Sequence, residues 1–146
     1  MLHFLIDYAG RLHPLVIHFP IALLLVGAAG EAVRLWLDQE SVGRFVQTTI
    51  LLGAIGVLIA ASTGWLFAYQ VHPAAELKPL LLWHRWLGVA AISLAGLAAW
   101  AADRWAVTAN PRQRWLRRGL VWAAAALGAA TAHLGALLVW GTDFFS

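Results

Sequence analysis

Apolar residues in this chain run together rather than alternating with polar ones. Four tracts, at about 12–37, 43–71, 80–102 and 115–141, carry only one or two formal charges each. A hydrocarbon core of ~30 Å needs about 20 residues at ~1.5 Å rise, so each tract is long enough to span with some tilt. Backbone groups cannot stay unpaired in lipid, and the alternation of membrane strands is absent, so the pattern predicts four transmembrane helices. The connections are short. They fall at Asp38-Gln39-Glu40-Ser41-Val42, at His72-Pro73-Ala74-Ala75-Glu76-Leu77-Lys78-Pro79, and across 103–114 with Asn110-Pro111 as its turn signal. Short connections make neighbours antiparallel. The expected fold is therefore all-α, a single domain over 1–146 built as an integral membrane up-down-up-down four-helix bundle.

Composition supports this reading. The chain is 62% apolar and 12% charged, where a soluble domain has about a quarter of its residues charged. The net charge of +3 recommends lipid rather than nucleic acid, because the arginines stand between apolar tracts. The amino terminus lacks a basic region before its apolar stretch and carries Asp7, so the first tract is expected to remain as a helix. Trp36, Trp83, Trp86, Trp100, Trp105, Trp115 and Trp140 lie at or near tract ends, where indole rings favour the headgroup level; only Trp65 and Trp122 sit further inward. Arg34, Arg44, Arg104, Arg112, Arg114, Arg117 and Arg118 flank the first and third connections, against Arg11, Lys78 and Arg85 on the other side. That imbalance predicts cytoplasmic first and third connections, with both termini and the second connection facing the periplasm or exterior.

The candidate chemistry is histidine chemistry. No cysteine is present, which removes disulfides, thiolate metal sites, covalent c-type haem and iron–sulfur clusters. The only methionine is Met1, which removes thioether ligands for copper(I). His3 and His72 read as surface residues in tails or loops. His18, His84 and His133 stand ~9, ~6 and ~12 Å inside the ends of the first, third and fourth tracts, one level of one leaflet. Polar groups at such depth face the bundle interior or a cavity. They either hydrogen-bond neighbouring helices or hold a cofactor. With no carboxylate at that level, catalytic zinc is poorly matched, whereas haem b needs one or two axial histidines and apolar walls. Gly64, Gly88, Gly128 and Gly135 would let a macrocycle approach, or would serve ordinary close packing.

His13 and His18 are about 140° apart around a helix and cannot grip one metal together. His13 precedes Pro14 at the membrane surface, where it would ligate a second group or touch a propionate. Pro20 is expected to kink the helix just after His18. Glu31 and Arg34 are spaced to pair with each other. Arg85 would meet a propionate or, the stronger expectation, a lipid phosphate.

The run His13-Pro14-Leu15-Val16-Ile17-His18-Phe19-Pro20 resembles the opening of a bacterial family of small four-helix membrane proteins classed as a domain of unknown function. His84 is similar to that family's early third-helix histidine. Ala132-His133-Leu134-Gly135-Ala136 resembles its late Gly-His-x-Gly-Gly-like motif with alanine at two glycines, and Trp140-Gly141-Thr142-Asp143 its aromatic-rich end. The resemblance implies the same fold and functional weight for His13, His18, His84 and His133. Some relatives look to be joined to cytochrome-like domains, which favours electron transfer. The leading expectation is thus a b-type haem subunit of a larger membrane complex. It would carry one haem, or two, near the periplasmic face on two of His18, His84 and His133, and exchange electrons with quinol or a periplasmic cytochrome. The alternatives are a cofactor-free scaffold subunit with interhelical histidine hydrogen bonds, and an outer-facing divalent-metal or proton site on the same histidines. No nucleophile, paired carboxylates or phosphate loop suggests an autonomous hydrolase or transferase.

Overall fold

The computed structural model describes residues 2–37, 39–71 and 73–141, and within them the side chains of all but Leu2, His3 and Leu5. His72, Asp38, Thr142 and Asp143 lie outside the described residues. The described chain folds into helices α1 (Leu2–Arg11), α2 (His13–Val16), α3 (His18–Val33), α4 (Glu40–Ala68), α5 (Lys78–Arg104, preceded by a 3-10 turn at Ala75–Leu77) and α6 (Pro111–Trp140). Four stretches are long and apolar enough to cross a membrane: His13–Val33, Glu40–Ala68, Ala75–Arg104 and Pro111–Trp140. They pack antiparallel in the order α3, α4, α5, α6, with α6 returning against α3 to close the ring. The expected four-helix bundle is the observed architecture.

Local chemistry sets the ends. Asn110 caps α6, its Oδ1 accepting the Arg112 amide at 2.9 Å, and Pro111 follows where its missing N–H costs no helical bond. Pro79 plays the same part in the first turn of α5. The first tract stops at Val33, earlier than 37. Leu35 and Trp36 then bond three residues back, to the Ala32 and Val33 carbonyls, which tightens the chain into a turn. Pro20 has no N–H to offer the Val16 carbonyl, so the ladder breaks at Ile17, before His18 rather than after it; Ile17 keeps helical dihedrals (φ −60°, ψ −30°).

The helix α1 was not foreseen. It packs on α4 at the end of the bundle that carries the α4–α5 connection. Gly10 makes this docking close: a Cβ there would stand 2.9 Å from the Phe67 amide nitrogen, and Gln70 Nε2 donates to the Asp7 carbonyl at 3.1 Å.

The mid-bundle core is Leu24 of α3, Val46 and Ile50 of α4, Ala95 and Ala98 of α5, and Val121, Ala124 and Ala125 of α6. Lipid offers helices no hydrophobic drive to associate, so small residues that bring backbones together carry the packing. Trp122, one of the two inward tryptophans, donates Nε1–H to the Ala28 carbonyl at 3.0 Å and ties α6 to α3. Large side chains such as Leu51, Leu58, Leu97 and Leu116 point outward, as a lipid solvent requires. At Gly30 a Cβ would fall 2.6 Å from Val46 Cγ2, while Gly96 faces open space. Gly30→Val is expected to lose about 1–3 kcal/mol to overpacking, and Gly96→Ala to be neutral or stabilising. Thermal unfolding of the two variants in detergent checks this, and equal midpoints would contradict it.

Candidate functional site: a histidine pair in an apolar cavity

Two histidines meet at the end of the bundle near α1. His13 opens α2, and His84 stands in the second turn of α5. Their ring centroids are 6.3 Å apart, with the planes at 74°. Both imidazoles are tied at Nδ1 to a carbonyl on another helix. His13 Nδ1 lies 2.9 Å from the Ala60 carbonyl of α4, and His84 Nδ1 lies 3.0 Å from the Thr131 carbonyl of α6. A carbonyl only accepts, so each Nδ1 must carry the proton. In the neutral ring that leaves Nε2 as a bare lone pair. Tying one nitrogen to backbone so that the other faces a ligand is the usual arrangement around metal-ligating histidine.

Both rings line a cavity of about 600 Å³ between α2, α3, α4, α5 and α6. Its walls are mostly apolar, including Ile17, Leu24, Val57, Ile92 and Leu138. Each ring lies against the bare backbone of a glycine. A Cβ on Gly64 would stand 2.7 Å from His13 Cε1, and one on Gly135 would stand 3.0 Å from His84 Cε1. Trp65, the other inward tryptophan, lines the same cavity and lies under Arg85, whose Cζ is 5.0 Å from the indole centroid. The buried Nε of Arg85 has no hydrogen-bond partner among the described residues.

The sequence-selected residues therefore divide. His13, His84 and Arg85 come together, whereas His18 and His133 stand on exposed faces. Equal depth did not mean equal direction. The cavity face of α6 runs through Gly128, Thr131, Ala132, Gly135 and Leu138, and His133 is about 200° round from Thr131. His18 is about 140° round from His13, as the spacing implies. No group of three or more His, Asp or Glu side chains that could hold a metal exists among the described residues, and His18, His84 and His133 are not brought together.

A second polar centre, missed as a whole, lies at the opposite end. Glu31 is buried and receives three guanidiniums. Arg117 Nε donates to its Oε1 at 2.9 Å, Arg34 Nη1 donates to the same oxygen at 3.2 Å, and Arg118 Nε lies 3.5 Å from Oε2. The expected Glu31–Arg34 pair is thus part of a larger node. A signal was present: Arg117 and Arg118 stand inside an apolar tract, and Glu31 is the one acid placed inside such a tract.

The chain belongs to the predicted membrane protein family DUF2231, whose model matches residues 10–144. No curated protein and no solved structure matches it.

Proposed function

We propose that this DUF2231 protein is a b-type haem protein of the membrane, an electron-transfer subunit in which His13 and His84 would hold the haem. The observation that carries this reading is the two Nδ1–carbonyl bonds, which leave an Nε2 lone pair on each of two neighbouring rings. The residues present fit such a group. Cavities of ~300–1,000 Å³ with apolar walls suit cofactors, and this one has about 600 Å³. Gly64 and Gly135 let the two rings lie against bare backbone, where a side chain would push them aside. Arg85, with a donor to spare, would meet a propionate. Bound there, haem b would supply reversible one-electron transfer. The chain's own part is to fix both imidazoles in the Nδ1–H tautomer, to exclude water with apolar walls, and to set the site near one face of the bilayer.

The direction proposed for the protein follows from its charges. Outside the Glu31 node and the cavity, four cations (Arg44, Arg104, Arg112, Arg114) flank one end and two (Arg11, Lys78) the other. This favours cytoplasmic first and third connections and puts the histidine pair at the periplasmic side of an inner membrane. Electrons would pass between quinol, or another membrane subunit, and a periplasmic carrier.

The test is an absorption spectrum of protein purified from haem-replete cells. A Soret band with a sharp reduced α-band is expected. A colourless, fully folded preparation would favour the second reading, a cofactor-free scaffold subunit. That reading is supported by the same two bonds, because His13 joins α2 to α4 and His84 joins α5 to α6.

A further inference from the structure

His18 and His133 take no part in the cavity, yet both lie inside membrane-crossing stretches on faces that the bundle leaves exposed. Intramembrane polar side chains almost always face a bundle interior or a cavity, because lipid tails offer them no hydrogen bond. Both histidines border one groove. Antiparallel α3 and α6 meet at Leu24 beside Gly128, at Ala28 beside Trp122 and at Glu31 beside Arg117. His18 stands six residues before Leu24 and His133 five after Gly128, so at ~1.5 Å rise their levels agree within about 2 Å. Their directions agree as well. On α3, Pro20 and Gly27 turn toward α4: a Cβ on Gly56 would meet Pro20, and one on Gly27 would meet Ile50. His18 is about 120° from Leu24 in the opposite sense, which is the outer α6 side of α3. On α6, His133 comes about three turns after Trp122 and about 20° round from it, so it borders α3 as Trp122 does.

Between the two histidines and below them, Ala22 and Ala29 of α3 and Ala126 and Ala129 of α6 are exposed. Such short side chains let another helix backbone come close. The placement of the histidines says which helix that is. Two copies inserted the same way round are related by a two-fold axis along the membrane normal, which keeps depth and exchanges the two sides of the groove. His18 and His133 share one level on opposite sides, so this axis sets His18 of each copy opposite His133 of the other. The surface is therefore complementary to itself in its polar groups. One neutral imidazole donates and the other accepts, and the match asks for only one nitrogen of each ring. We propose that the α3–α6 face is the interface of a symmetric dimer, closed by two hydrogen bonds between His18 of one copy and His133 of the other.

The chain has no cysteine, so introduced thiols report on the interface alone. Full-length Ala22→Cys and Ala129→Cys proteins are mixed in phosphatidylcholine vesicles and oxidised. These positions share a level on opposite sides of the groove and meet between copies only across the two-fold. The mixture is expected to form a disulfide-linked dimer faster than either variant alone. Leu58→Cys, on the exposed face of α4, should cross-link with neither beyond the rate of random collision. His18→Leu in both copies removes both interface bonds and should weaken dimerisation about tenfold, read from energy transfer between labelled copies as the protein is diluted in lipid. Leucine suits a lipid-facing position, so this variant keeps its fold, and His133→Leu should match it. A mixture that cross-links no faster than the single variants would overturn the proposal and leave the face to a different subunit or to lipid. Unchanged dimer affinity in both leucine variants would overturn it too, since the histidines then do not join the copies.

Discussion

His13→Ala and His84→Ala are each expected to abolish the sharp reduced α-band of the purified protein, while His18→Ala and His133→Ala leave it unchanged. All four histidines are polar residues in the same half of the bundle, so sequence depth alone would rank them together. The cavity separates them. On the proposed reading, removing His13 or His84 would take away one of the two imidazoles that hold the haem. Removing His18 or His133 changes an exposed face on the far side of its helix. The carbonyl partners sharpen the prediction. Their bonds fix each ring's tautomer and direction, and losing such outer support typically costs a metal site about 10–100-fold in affinity. Filling the space beside His13 should act in the same sense. In Gly64→Val the new Cβ alone would meet the imidazole at 2.7–3.1 Å, so the ring must swing and the α-band should broaden or vanish with the helices intact. Reduced-minus-oxidised spectra of the five variants, matched for helical circular dichroism, make the comparison. Loss of the band in His133→Ala with retention in His13→Ala would rule out this pair as the residues that hold the haem.

Glu31→Gln is expected to destabilise the protein by about 3–5 kcal/mol, the usual cost of stripping one partner from a buried ion pair. Here the stripped carboxylate serves three arginines on two helices, with Arg117 itself almost fully buried. The amide keeps the shape and some hydrogen bonds but not the charge, so three guanidiniums would repel one another in a low-dielectric setting. The node also fastens the α5–α6 turn, because Arg117 Nη1 donates to Trp105 at 2.6 Å. Loosening it should therefore free both the α3–α6 contact and that turn. Glu40→Gln is the matched control. Its pair with Arg44 is 74% and 72% exposed, and such surface pairs are worth within about 0.5 kcal/mol. Unfolding in mixed micelles, followed by tryptophan fluorescence, measures both. Equal shifts for the two variants would mean that the node is far better solvated than its burial implies.

The chain's pattern made the bundle readable before any coordinates. Where water is absent each backbone must bond within its own helix, so span number, span length and antiparallel order follow from apolar run lengths and short connections. Asn110-Pro111 marked the start of α6 for an equally local reason. The helix α1 escaped because the readable signal was long apolar runs, and a ten-residue amphipathic surface helix is not one. His13, His84 and Arg85, which meet at the cavity, were among the residues that the sequence singles out. That His18 and His133 would turn away was only half legible. The angle between His13 and His18 follows from helical spacing, but which of the two faces the cavity does not.

Tertiary packing decided the rest. Rotating a helix about its axis leaves its depth pattern untouched and changes every neighbour. The rotation is fixed by close contacts such as Gly30 on Val46 and Trp122 on the Ala28 carbonyl, spread over helices far apart in the chain. Those contacts set His13 beside His84 and leave His133 outside. They also gather Arg34, Arg117 and Arg118 on Glu31, where charge counting along the chain had placed them at the membrane surface. The sequence by itself determined how many times this protein crosses the membrane and which residue types could bear its chemistry. Only the packed bundle determined which of them meet, because meeting depends on direction around each helix and periodicity within one helix does not carry that direction to the next.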